Sequence, residues 1–184
     1  MLTLKIGRLQ KGWAALALFV LAACQQGPSA PPPPCPNIVI VRDAAELTQF
    51  LPGPGRDLTD VTLEARIADF QGFCETDLED NGTGTVEVEL QLIMAATRGP
   101  AAATRDATVR YFVAIADTDE TILAREVFET SINFEGNRNR LGFAEELAQT
   151  IPLRAGQFGD AFNIFVGFEL SDEDLAYNRR KRGR

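Results

Sequence analysis

From Val61 onward the apolar residues of this chain keep returning at every second position, and few architectures accommodate that habit. Val86, Val88, Leu90 and Leu92 alternate with Glu87, Glu89 and Gln91. A strand sends successive side chains to opposite faces, so such a segment offers one face to a core and the other to water. The same pattern runs through Val61, Leu63, Ala65 and Ile67, through Val109, Tyr111, Val113 and Ile115, and through Phe162, Ile164, Val166, Phe168 and Leu170. Ile122 to Phe134 contains Phe128, Ile132 and Phe134, with Arg125, Glu129 and Asn133 at the partner positions. After Ile67 the phase slips near Asp69, before Phe70, which marks a bulge or bend. The stretch "LGFAEELAQTIPL" fits two periods. Leu141, Phe143, Leu147 and Ile151 suit a strand, whereas Ala144, Leu147, Ala148 and Ile151 suit a helix. Gly142 and Pro152 crowd the ends of any helix, so a strand is preferred.

"EDNGTG" at 79–84 and "DTDE" at 117–120 read as turns between strands. Six or seven strands over the roughly 150 residues that follow Cys35 predict a mainly β domain. The expected architecture is a two-layer antiparallel β-sandwich, immunoglobulin-like or transthyretin-like. A closed barrel satisfies the same alternation and stands second. Two helices are expected at its margins. Asp43-Ala44-Ala45-Glu46 fits a capping box ahead of Leu47, Phe50 and Leu51, with "LPGPG" at 51–55 as the stop. Ser171 is placed to cap a short C-terminal helix, with Asp172 to Asp174 at its positive end.

The N-terminus has a different grammar. Lys5, Arg8 and Lys11 precede the wholly apolar run "WAALALFVLAA". A basic zone, a short apolar zone and small residues at the exit are the layout of a cleaved export signal. A membrane-spanning helix needs about 20 apolar residues to cross roughly 30 Å of hydrocarbon, and this run is too short. At Leu21-Ala22-Ala23-Cys24 the sequence resembles a bacterial lipobox. The resemblance implies cleavage before Cys24 and acylation of its thiol, with Gln25 next in line. An aspartate at that second position is the usual mark of inner-membrane retention, so the resemblance favours the outer membrane, facing the periplasm. Several acyl chains give stable anchoring where one gives marginal binding, at about 0.8 kcal/mol per buried methylene.

Three cysteines are an odd number for an exported chain. Lipidation of Cys24 leaves Cys35 and Cys74 as an expected disulfide in an oxidising compartment. Two buried free thiols are the alternative. Closing that loop stabilises the fold by about 4 kcal/mol on a chain-entropy estimate. Between Cys24 and Cys35 lies "QQGPSAPPPP", a proline-rich spacer that extends at about 3.1 Å per residue where it adopts polyproline II. The expected organisation is therefore a signal peptide over 1–23, a lipidated Cys24 and tether over 24–34, a sandwich over 35–178 and a basic tail over 179–184.

The formal charge of −8 includes three basic residues that would leave with the signal. The remainder carries 15 basic and 26 acidic residues, a charge of −11. Five of those basic residues fall within 179–184. An acidic body repels phosphate-rich partners, so no nucleic-acid partner is expected. Histidine is absent, which removes histidine triads and histidine metal sites. "GPGRD" at 53–57 lacks the ending of a phosphate loop. Asp77, Glu79, Asn81 and Gly82 echo a calcium loop, but Val88 stands where the bidentate glutamate belongs, and a polar hairpin turn is the preferred reading.

The segments "CPNIVIVRDAAELTQFLPG", "RDLTDVTLEARI" and "IFVGFELSDEDLAYNR" resemble small envelope lipoproteins of alphaproteobacterial type, a group that brings no assigned activity with it. The expected function is a membrane-anchored, non-enzymatic binding or scaffolding module for an envelope protein or cell-wall partner, with no catalytic residue, metal or cofactor. The alternative is a periplasmic carrier or chaperone for an apolar ligand held between the sheets, among residues such as Phe128, Phe134, Phe162 and Phe168. A hydrolase using two carboxylates is a third reading, in which no particular pair stands out.

Overall fold

A computed structural model describes residues 31–183. Eight strands build two four-stranded sheets. The strands are β1 (Asn37–Ile40), β2 (Glu46–Phe50), β3 (Val61–Leu78), β4 (Gly84–Arg98), β5 (Asp106–Asp117), β6 (Ile122–Asn133), β7 (Arg140–Leu153) and β8 (Phe162–Phe168). One sheet has the order β1-β8-β5-β6 and the other β2-β3-β4-β7. Every pairing is antiparallel except β1 with β8, which is parallel. The domain is a mainly β two-layer sandwich, and the ambiguous stretch 141–151 lies within a strand.

The alternation assigns the faces. Val86, Val88, Leu90, Leu92, Met94 and Ala96 of β4 are buried, while the residues between them line the outer face. From the other sheet, Val109, Tyr111, Val113 and Ile115 of β5 and Phe162, Ile164, Val166 and Phe168 of β8 join them in one cluster. A fully buried aliphatic or aromatic side chain stabilises the fold by about 1.5–3 kcal/mol, so this interdigitated layer is the main source of stability. The register of β3 on β4 shifts between Ile67 and Asp69, where the phase slip was expected. The bulge keeps the inner face apolar: Phe70 lies opposite Leu92, and Cys74 opposite Val88.

Local signals placed the first helix too generously. In place of a helix from Asp43 to Leu51, the chain makes a single 3-10 turn at Arg42–Ala44 and enters β2 at Glu46. Leu47 is buried there as a strand residue. The two carboxylates that suggested a capping box are engaged elsewhere. Asp43 pairs with Arg179 and Arg182, and Glu46 with Lys181. β1 and β2 also raise the strand number to eight, above the six or seven expected.

The C-terminal helix α1 (Asp172–Arg182) has the expected cap. The Ser171 hydroxyl oxygen accepts from the Asp174 amide, and the Asp174 carboxylate accepts from the Ser171 amide in return. Through Arg182 the basic cluster belongs to this helix, so it does not begin a free tail at Arg179. α1 packs along β2: Tyr177 meets Phe50 edge-on with ring centroids 5.2 Å apart. The buried Asn178 donates to the carbonyls of Asp43 at 3.1 Å and Glu46 at 2.7 Å. Those carbonyls belong to the corner where the chain leaves one sheet for the other. Glycine permits the close approach at this corner: a Cβ on Gly167 would lie 2.7 Å from the Ala44 Cβ.

Candidate functional site

The two sulfurs expected to pair do so. Cys35 and Cys74 form a disulfide across 39 residues of sequence, with Cα atoms 5.8 Å apart. The bond ties the chain two residues before β1, in one sheet, to β3 in the other. Two residues before Cys74, Gly72 leaves space for the Ile38 side chain of β1: a Cβ there would come within 2.7 Å of Ile38 Cδ1. Cys24, the expected lipidation site, lies outside the described residues. Among the described residues no helix is long and apolar enough to cross a membrane.

The calcium-like stretch is a hairpin turn closed on itself. Asn81 Oδ1 accepts from the Thr83 amide at 2.8 Å and hydroxyl at 2.7 Å, and Gly82 supplies the positive φ of +80°. Among the described residues no group of three or more Asp, Glu, Cys or His gathers as a metal set.

The outer face of the β2-β3-β4-β7 sheet holds two recesses. Strand register builds the larger one. Glu46, Arg66, Ala95 and Gly142 form one row across the four strands, and Glu64, Thr97 and Arg140 form the next. Ala95, Thr97 and Gly142 keep the floor low, leaving a trough of about 640 Å³. Lys181, on the last turn of α1, reaches over its rim. Its ammonium lies 3.3 Å from Glu46 and 3.6 Å from Glu64. Burial works against the charged lysine, but the two carboxylates outweigh it and hold the pKa above its ordinary value. Arg66 and Arg140 flank β4 two strands apart, a lateral distance of about 10 Å at the usual strand spacing.

The second recess, about 470 Å³, lies further along the same face. Phe73 is 60% exposed there, beside Gln71, Gln91, Glu89 and Glu146. The Gln91 side chain donates to Glu146 at 3.3 Å. Carboxylates therefore line both recesses, and in the larger one an ammonium bridges two of them.

Between the sheets the picture is different. Phe134, Phe162 and Phe168 are buried in the common core cluster, and Phe128 packs against it, stacked on Tyr111 at 5.5 Å. The Tyr111 hydroxyl donates to Glu145 at 3.5 Å. Burial first, and then the Glu145 carboxylate, push this phenol up to about 12.

Sequence reading identified the strands that carry the outer face but not the trough. Arg66 was visible only as a polar position in an alternating run, and Lys181 only as part of a tail. What brings them together is the β3-β4-β7 register and the return of α1 onto β2. No local window contains either.

No family model and no curated protein matches this chain. Among solved structures it is similar to a glycosyl hydrolase family 2 member from Bacteroides cellulosilyticus, at 13% identity and a TM-score of 0.26. That likeness covers 53% of this chain, which spans only 16% of the hydrolase. It is also similar to the variable domain of the Streptococcus agalactiae AgI/II polypeptide BspA, at 10% identity and a TM-score of 0.19, over 69% of this chain and 73% of that one. Neither likeness carries an activity over to this chain.

Proposed function

We propose that the protein is a non-enzymatic binding module of the bacterial envelope, anchored through acylated Cys24 and facing the periplasm, and that it engages its partner through the outer face of the β2-β3-β4-β7 sheet. The observation that carries this reading is the contrast between that face and the interior. The face is recessed twice, and charged and amide groups with the exposed Phe73 line the recesses; concave places that carry a few polar groups are where ligands are usually held. The phenylalanines that an apolar carrier would use are spent on packing the sheets together. That supports a contact made on the outside of the sandwich over a ligand held within it. The ammonium shared by Glu46 and Glu64 supports recognition over general acid–base work, because it holds both carboxylates in ion pairs and leaves neither one facing the recess alone.

Two experiments test the parts separately. Labelled palmitate should enter the wild-type chain and not a Cys24→Ala variant; equal labelling of both removes the anchor. A photo-crosslinking side chain placed at Ala144, on the proposed face, should yield a discrete adduct in intact cells, and one at Leu58, in an exposed 3-10 turn before β3, should not. The same adducts from both positions, or none from Ala144, would defeat the binding-face reading.

A further inference from the structure

Lys181 is shared by two carboxylates, so three of the larger trough's five charged groups are already in ion pairs, with one net negative charge left among them. The two left over are both guanidinium groups. Arg66 and Arg140 make no ion pair with any acid among the described residues, although acids outnumber bases by 26 to 18 in the chain. They stand on opposite flanks of β4, above a floor of Ala95, Thr97 and Gly142. At Gly142 the absence of a side chain is not a packing requirement. A Cβ at Gly142 would meet only the Met94 carbonyl, at an ordinary 3.7 Å, in contrast to Gly72 and Gly167, where a side chain collides. The fold has room for a Cβ there, and a side chain at that position would fill the trough.

From this arrangement we infer that the trough captures the free carboxylate of a short, otherwise uncharged peptide end, held between Arg66 and Arg140. A guanidinium presents a planar fork that matches a carboxylate with two parallel hydrogen bonds, which is why arginine suits this task better than lysine. A trough of this volume lies within the range of small-ligand sites. Glu46 and Glu64, at the rim, set the upper limit on ligand charge, since a second negative group would face them. The strongly acidic body acts in the same direction and disfavours polyanions. The inference rests on the proposed binding face and specifies what that face recognises.

The test uses the full chain, purified from bacterial cells in a nonionic detergent, and calorimetric titration with two probes, N-acetyl-trialanine with a free carboxylate and the same peptide as its C-terminal amide. The acid should bind, and the amide should bind about tenfold more weakly or worse, the loss expected when a charge-assisted pair is removed. Arg66→Gln combined with Arg140→Gln should weaken the acid by about the same factor. Gly142→Phe should abolish binding of the acid while leaving the thermal midpoint within a few degrees of the parent. Equal binding of acid and amide, unchanged affinity in the double variant, or no binding of the acid at millimolar concentration would each overturn the inference. If the peptide fails while Ala144 still crosslinks in cells, the ligand class is wrong and the binding face stands; if both fail, the face falls with it.

Discussion

The two sides of the sandwich are built on opposite terms. On one side the edge strands are short, four residues in β1 and five in β2. The chain crosses between them by a single 3-10 turn, α1 covers the corner, and a disulfide bolts β1 to β3. On the other side the edges are long, twelve residues in β6 and fourteen in β7. Neither pairs with a second strand among the described residues, and Ile122 and Leu123 of β6 are more than half exposed. Exposed edges invite pairing with other chains, and inward-pointing charge is one way to discourage it. Glu126, opposite Val113, and Glu145, opposite Leu92, occupy core-facing positions on these two strands. One side is thus held by covalent and helical closure, and the other is guarded by charge.

If that contrast is right, damage to the closed side should cost far more than damage to the open one. Replacing Cys35 and Cys74 by serine should have the largest effect, a loss of about 4 kcal/mol, or roughly 10 °C in thermal midpoint. Unfolding scans of parent and variant check it, and equal midpoints would mean that the staple is ornamental. Asn178→Ala should come next, at about 2 kcal/mol, because it strands two corner carbonyls under α1. Denaturant titration measures it.

A smaller effect should come with acid. The hydrogen bond from Arg179, and then that from Arg182, hold Asp43 below the usual carboxylate range against an opposing desolvation effect. Its stabilising contribution is therefore present above the unfolded pKa of about 4 and is lost as pH falls through the lower, folded value. Asp43→Asn should accordingly lower the midpoint at pH 7, and the difference from the parent should shrink as pH drops below about 4. The smallest effect belongs to the open edge. Ile122→Ser with Leu123→Ser should change stability by less than about 0.5 kcal/mol, and a larger loss would show that β6 is covered after all.

The same contrast explains what could be read from the sequence. Strands whose inner face is wholly apolar, such as β4, declare themselves because every second residue obeys one environment. β7 was ambiguous because Glu145 and Gln149 interrupt its inner face. At an open side those positions lie near water and need not be apolar, so the period that marks a strand is broken. Asp43 and Glu46 misled for the reverse reason. They look like a local cap, yet their partners are Arg179, Arg182 and Lys181, more than 130 residues away. The disulfide was legible by elimination, once one of three cysteines was assigned to lipid. The larger trough was not, because it exists only where three strands in register meet the returning helix.

The position of the disulfide also decides how the domain would bear a pull. Tension arriving along the chain before Cys35 passes through the sulfurs straight into β3, so the 38 residues from Pro36 to Phe73 lie off the load path. β1 and β2 cannot be peeled away one after the other. The force falls instead on the long β3–β4 ladder.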